Sequence, residues 1–313
     1  MLSLQAEILR RYIRMGTRRH RVVMGRIKVL RRIASMNTRF LPMPASVVKR
    51  RPLLDGLPLE IYIPRQSAQD KALLYLHGGG YVIGGPDTHR ALAARLGKAA
   101  GLQVWLPDYR LAPEHPFPAA IDDVLKVWRT MKQEFGADNI QVAGDSAGGG
   151  LSVALCLKLM ELGESLPDRL FLLSPWLDLS LSGDSYRRNQ QLDPMVYEDW
   201  IRQDCAANYI GDAEVQNPLI SPLFADEKAL AALPPTYIQV GTDEILLDDS
   251  LLFAQKVRAA GAELRLDVAD GLWHVWQLLA PFMPEANAAI AQAGIWLGGE
   301  LRATEVQEPV QAF

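Results

Sequence analysis

Ser146 lies in Gly144-Asp145-Ser146-Ala147-Gly148-Gly149, directly after the apolar run Ile140–Ala143 and just before helical spacing from Leu151 to Leu162. Strand, sharp turn and helix in that order make a nucleophile elbow, which lifts a serine out of the backbone for attack. The residues two before and two after must let strand and helix backbones close in, and here both are glycine, Gly144 and Gly148. A helix N-terminus beneath the serine favours negative charge developing beside it. The chemistry implied is acyl transfer, which also requires a base, an acid to orient the base, and donors for an oxyanion.

Candidates for all three stand at the ends of expected strands. His77-Gly78-Gly79-Gly80 follows the strand Ala72–Leu76, and consecutive glycines leave backbone N–H groups unobstructed. Gly78, Gly79, Gly80 and the amide of Ala147 are therefore the candidate oxyanion hole. Asp243 ends the strand Thr236–Gly241 and is the candidate acid; Asp248 and Asp249 fall in the next helix, where acids suit its positive end. His274 follows the last strand and is the candidate base, completing the chain order serine, acid, histidine. His20, His77, His89 and His115 fit less well, in an arginine-rich helix, the glycine loop, a helix start and a proline-rich turn. Asp145 is read as a structural hydrogen-bonder pointing away from Ser146 Oγ, and Asp108 and Glu114 as scaffold for the glycine loop. Tyr81, Trp176, Leu177, Trp273 and Val275 are candidates for the substrate pocket.

The elements that must hold these residues alternate. Strands are expected near Ser46–Lys49, Glu60–Ile63, Ala72–Leu76, Gln103–Leu106, Ile140–Ala143, Leu170–Ser174, Tyr237–Val240 and Leu264–Val268. Helices are expected at His89–Ala100, Ala119–Phe135, Leu151–Leu162, Leu247–Ala260 and Glu285–Leu301. The fold class is α/β, a mostly parallel eight-stranded sheet covered by helices on both faces. The catalytic core is assigned to residues 45–179 and 225–302, a cap insertion to 180–224, an N-terminal helical cap segment to 1–44 and a tail to 303–313.

Apolar residues make up 49% of the 313, enough for a full core. Residues 1–51 hold fourteen Lys and Arg against Glu7 alone, a net +13, which leaves −16 on the remainder. In the first helix Leu2, Leu4, Ile8, Leu9, Tyr12 and Ile13 form one apolar side, and burial on the acidic body is preferred to a membrane surface. On that reading the protein does not sediment with anionic vesicles. Cys156 and Cys205 lack metal-ligand spacing, and no metal or cofactor is expected. Charges interrupt the first fifteen residues, so no secretory signal and no membrane insertion are expected, and the location expected is cytoplasmic. No nucleic-acid partner is expected. Leu264–Val268 reads as an edge strand that invites a homodimer.

In combination, His77–Gly80, Gly144–Gly149, Asp108–Ala120, Ser174-Pro175-Trp176 and Ser221-Pro222-Leu223 resemble the bacterial hormone-sensitive-lipase-like (family IV) esterases of the α/β-hydrolase fold. The resemblance implies a serine carboxylesterase acting on short- to medium-chain acyl esters. It implies Ser146 as nucleophile, His274 as base, Asp243 as acid, and Gly79, Gly80 and Ala147 as donors. It also implies a cap formed by the N-terminal helices and residues 180–233. Trp273 and Trp276 depart from the family's small or aliphatic residues beside the histidine, and either narrow a pocket or pack. A lactone hydrolase with the same triad is the alternative, and a non-catalytic ligand receptor on this fold is a further one.

Overall fold

Short apolar runs bounded by glycine, proline and polar residues become strands, and amphipathic stretches between them become helices. The computed structural model describes residues 2–20, 26–38 and 41–299. In chain order the elements are α1 (Leu4–His20), α2 (Ile27–Thr38), β1 (Val47–Arg50), β2 (Leu53–Leu54), β3 (Leu57–Pro64), β4 (Ala72–Leu76), α3 (Pro86–Ala100), β5 (Gln103–Pro107), α4 (Ala119–Phe135) and β6 (Ile140–Asp145). There follow α5 (Ala147–Glu161), β7 (Arg169–Leu173), α6 (Ser185–Arg188), α7 (Ala207–Ile210), α8 (Glu227–Ala231), β8 (Thr236–Gly241), α9 (Leu247–Ala259), β9 (Leu264–Ala269) and α10 (Pro284–Gly298).

The sheet runs β1-β3-β5-β4-β6-β7-β8-β9. All pairs from β5 to β9 are parallel, while β1 and β3 are antiparallel to their neighbours. The expected eight strands form this path; the two-residue β2, paired to β3, makes nine and was too short to carry a pattern. The central strand β4 is buried throughout. Its alternate side chains divide between the faces: Leu73 and Tyr75 pack with α3 and α10, Leu74 and Leu76 with α4 and α5. Cys156 is buried on the second face. The expected tail, 303–313, lies outside the described residues.

Two segments leave the alternating rhythm, and both lie against the C-terminal edge of the sheet. Between β7 and β8 come short helices, including a π-helical turn at Trp200–Ala206, where 3.6-residue periodicity gives way to wider bonding. At the N-terminus, Arg14 of α1 donates to the carbonyls of Gln191 and Leu192, and Thr17 to that of Pro194. Arg31 of α2 donates to the carbonyls of Val82 and Ala112 and pairs with Glu114. Glu114 thus holds α2 beside the glycine loop through Arg31.

Candidate active site

Ser146 stands between β6 and α5 with φ 52° and ψ −122°, a left-handed strain that L side chains rarely accept. The strain is held by main-chain bonds: Ser146 N–H donates to Leu173, and its carbonyl accepts from Gly150 and Trp176. A Cβ on Gly148 would overlap the Leu76 carbonyl, so helix, nucleophile and β4 meet this closely only with glycine there.

The glycine loop hangs from Asp145. Its Oδ1 accepts from Tyr75 Oη at 2.6 Å and from Gly78 N–H at 3.1 Å. The Gly78 amide is therefore engaged and does not belong with the oxyanion donors, a correction to the sequence reading. Gly79 and Gly80 follow with positive φ, and both line the cavity that holds Ser146. Among the described residues their amides donate to no carbonyl, which leaves them available to a ligand oxygen. Ala147 opens α5, where a first-turn N–H has no intrahelical acceptor. Asp145 Oδ2 lies 3.2 Å from His89 Nε2. Thr88 Oγ1 donates its one hydrogen to the Gly85 carbonyl and so accepts from His89 Nδ1 at 2.7 Å. Burial raises the Asp145 carboxyl, but the His89 charge and bond and the Tyr75 bond outweigh it and hold the pKa below the usual range. Asp145 is thus the structural hydrogen-bonder expected. His77, stacked on Tyr109 and buried, is pushed down to about 3 by desolvation and stays neutral.

His274 Nδ1 lies 3.0 Å from Glu244 Oε2, not against Asp243. Glu244 is fully buried. Its Oε1 accepts from Ser174 Oγ at 2.9 Å and from Gly241 N–H at 2.5 Å. Ser174 Oγ in turn accepts from Val275 N–H, so one carboxylate fixes both the ring and the backbone beside it. Asp243 turns outward to pair with Arg10 of α1 at 2.9 Å. The sequence reading chose the wrong one of two adjacent acids, because spacing from a strand end cannot say which of two successive side chains turns inward. Desolvation pushes the imidazolium pKa of His274 down, but Glu244 and Asp193 outweigh it, and the net pKa lies above the usual 6.5. With Nδ1 donating to Glu244, Nε2 is left for the cavity.

Asp193, in the segment between β7 and β8, was not foreseen. Its Oδ1 accepts from Met195 and Val196, and its Oδ2 from Ile245 beside Glu244. Burial, with Glu244 nearby, pushes its carboxyl up to about 6 despite the opposing pull of His274. Nor do Asp248 and Asp249 merely suit a helix end: Asp248 accepts from Ser185 N–H, and Asp249 from the amides of Leu177 and Asp178 and from Tyr186 Oη.

Ser146, His274, Gly79, Gly80 and His89 share a cavity of about 220 Å³. Trp176 and Val275 line it as expected. Tyr81, Leu177 and Trp273 do not: Tyr81 stacks on Tyr209 at 3.6 Å, Leu177 is core, and Trp273 lies buried 5.2 Å below the Arg10 guanidinium. Trp273 and Trp276 therefore pack rather than narrow the pocket. Much of the remaining wall comes from Ala34 and Thr38 of α2, from Ile83, from Met195, Val196, Trp200 and Ile201, and from Leu246 and Leu278. Sequence spacing cannot bring residues so far apart together.

Residues 73–278 match a family model described as the alpha/beta hydrolase fold. The chain is 36% identical over 263 residues to an esterase of Acinetobacter venetianus, covering 84% of this chain and 86% of that protein. It is 38% identical over 235 residues to an acetyl-hydrolase of Streptomyces hygroscopicus, covering 74% and 77%. A solved esterase from the bacterial hormone-sensitive lipase family superposes with a TM-score of 0.88 at 38% identity, covering 95% of this chain and 98% of that one.

Proposed function

Since the chain belongs to the hormone-sensitive-lipase-like esterases of the α/β-hydrolase fold and is a carboxylic ester hydrolase, we propose that it works through an acyl-enzyme on Ser146, with His274 as base and Glu244 as the orienting acid. The observation that carries this reading is the 3.0 Å contact of fully buried Glu244 with Nδ1 of His274, whose ring lines one cavity with the strained Ser146. Glu244 holds the tautomer whose Nε2 is free to accept a proton, and its charge stabilises the imidazolium that follows. Ser146 Oγ attacks the ester carbonyl as Nε2 takes its proton. Gly79, Gly80 and Ala147 donate to the oxyanion, and His274 returns the proton to the departing alcohol. Water activated by the same imidazole then releases the acid.

The cavity of about 220 Å³, walled largely by apolar side chains, supports short acyl groups close to Ser146. The test is covalent labelling with a fluorophosphonate alongside hydrolysis of esters of increasing acyl length. Ser146→Ala is expected to abolish labelling and lower kcat on the order of 10⁶-fold with the fold intact. Retention of a tenth of the activity would remove Ser146 from the mechanism.

A further inference from the structure

The catalytic cavity continues outward. A second cavity, of about 590 Å³, adjoins it, and Ala34, Thr38, Ile83, Met195, Trp200 and Leu278 wall both. Its outer part lies between the N-terminal helices, with Tyr12 and Met15 on α1 and Leu30 and Ile33 on α2.

Helix α1 is apolar on two sides, not one. Ala6 is buried, and Leu2, Leu9 and Ile13 pack on the core. Leu4, Ile8, Tyr12 and Met15 recur at helical spacing on the other side and are 70%, 57%, 74% and 60% exposed. Scattered exposed hydrophobes need no explanation, but a continuous stripe that runs into an apolar cavity does.

The charge around the stripe is predominantly positive, Glu7 being the one acid among residues 1–51. Residues 1–51 carry +13 and the remainder of the chain −16. Arg10 and Arg14 are turned onto the protein, whereas Arg11, Arg26 and Arg32 are exposed and form no ion pair among the described residues. An anionic surface attracts this end and repels the rest, so the molecule arrives with the stripe foremost.

We propose that this face docks peripherally on an anionic lipid surface and that the outer cavity passes acyl esters from it to Ser146. An apolar stripe beside unpaired cations is what a helix lying in the headgroup region requires. No helix among the described residues is long and apolar enough to cross a membrane, so the contact is adsorption, not insertion. Of the six apolar residues expected on one side, for which burial on the acidic body is the sequence expectation, Leu2, Leu9 and Ile13 are packed while Leu4, Ile8 and Tyr12 turn to water. Delivery to Ser146 rests on the esterase mechanism above, whereas docking does not.

The test is co-sedimentation of the full chain with phosphatidylcholine vesicles, with and without phosphatidylglycerol, at low and physiological salt. Wild type is expected to pellet with the anionic vesicles, less so as salt rises, and little with the neutral ones. Leu4→Ser/Ile8→Ser is expected to bind at least about tenfold more weakly while hydrolysing a soluble acetyl ester at the wild-type rate, which shows that it folds. Arg11→Gln/Arg26→Gln/Arg32→Gln provides a second variant and should lose the preference for anionic vesicles. The proposal is overturned if wild type stays in the supernatant, if the Leu4/Ile8 variant pellets like wild type, or if it changes only the oligomeric state, which would make the stripe a contact between copies. Because Ser146→Ala should pellet normally, a failure of docking and a failure of the catalytic reading are separable.

Discussion

Asp243 and Glu244 are chain neighbours with the same charge, yet only one reaches His274. Glu244 turns into the core, where Gly241, Ser174 and His274 occupy its oxygens; Asp243 meets Arg10 at the rim. Glu244→Gln is expected to lower kcat on the order of 10⁴-fold, as loss of the triad carboxylate does elsewhere, with the fold retained. Asp243→Asn should cost less than about tenfold, because a part-exposed ion pair contributes roughly 0.2–1 kcal/mol. The pH profile separates them further. Neutral imidazole is the active base and His274 titrates above its usual 6.5, so wild-type kcat/KM falls as pH drops through that raised value. Glu244→Gln removes the main cause of the rise and should move the acid limb to lower pH; Asp243→Asn should leave it nearly in place. A larger loss at Asp243 than at Glu244 would reverse the assignment.

At the scale of elements, the segment between β7 and β8 is joined to the acid-bearing loop by Asp193, which accepts from Met195, Val196 and Ile245. Asp193→Ala leaves two buried N–H groups and one part-buried one without their acceptor, at roughly 1–3 kcal/mol for each buried group, offset by removal of a buried carboxylate. A net loss of about 2 kcal/mol, or roughly 4 °C in Tm, is expected in a thermal melt. The loss should depend on pH. The folded carboxyl titrates at about 6 against an ordinary 3.8, so the native state binds more protons between those values, and wild-type stability from this group falls as pH rises through the window. The gap between variant and wild type should therefore be wider at pH 5 than at pH 8. Equal melting temperatures at both would show that the segment is held by other contacts.

For the whole molecule, the N-terminal helices are both wall and rim. Ala34 and Thr38 close the catalytic cavity, and α1 and α2 bound the outer one. Deleting residues 1–41 is expected to leave the sheet and the His274–Glu244 contact assembled, since both arise from later elements. Hydrolysis of octanoyl esters should then fall at least about tenfold more than that of acetyl esters, because only the longer chain uses the missing wall and water enters beside it. An unchanged chain-length profile would deny the helices this role. At its own edge of the sheet, β9 pairs β8 and has no further strand beside it among the described residues.

Residue order alone determined the alternation of strands and helices, because buried parallel strands are near-continuous apolar runs; Ala72–Leu76 and Ala119–Phe135 agree with the structure to the residue. It also determined the elbow at Ser146 and the histidine after β9, since backbone geometry demands glycines at fixed offsets and strand ends face the site. Only the tertiary structure decided what depends on side-chain direction. Gly78 donates to Asp145 and is withdrawn from the oxyanion hole, Glu244 displaces Asp243, and Trp273 packs beneath Arg10. It alone decided which stripe of α1 the core covers, because a helix offers its whole circumference and a neighbour covers only the part it touches. The physical reason is common to these cases: periodicity fixes which residues share a face, but the partner on that face comes from distant chain, and burial is settled only when the two meet.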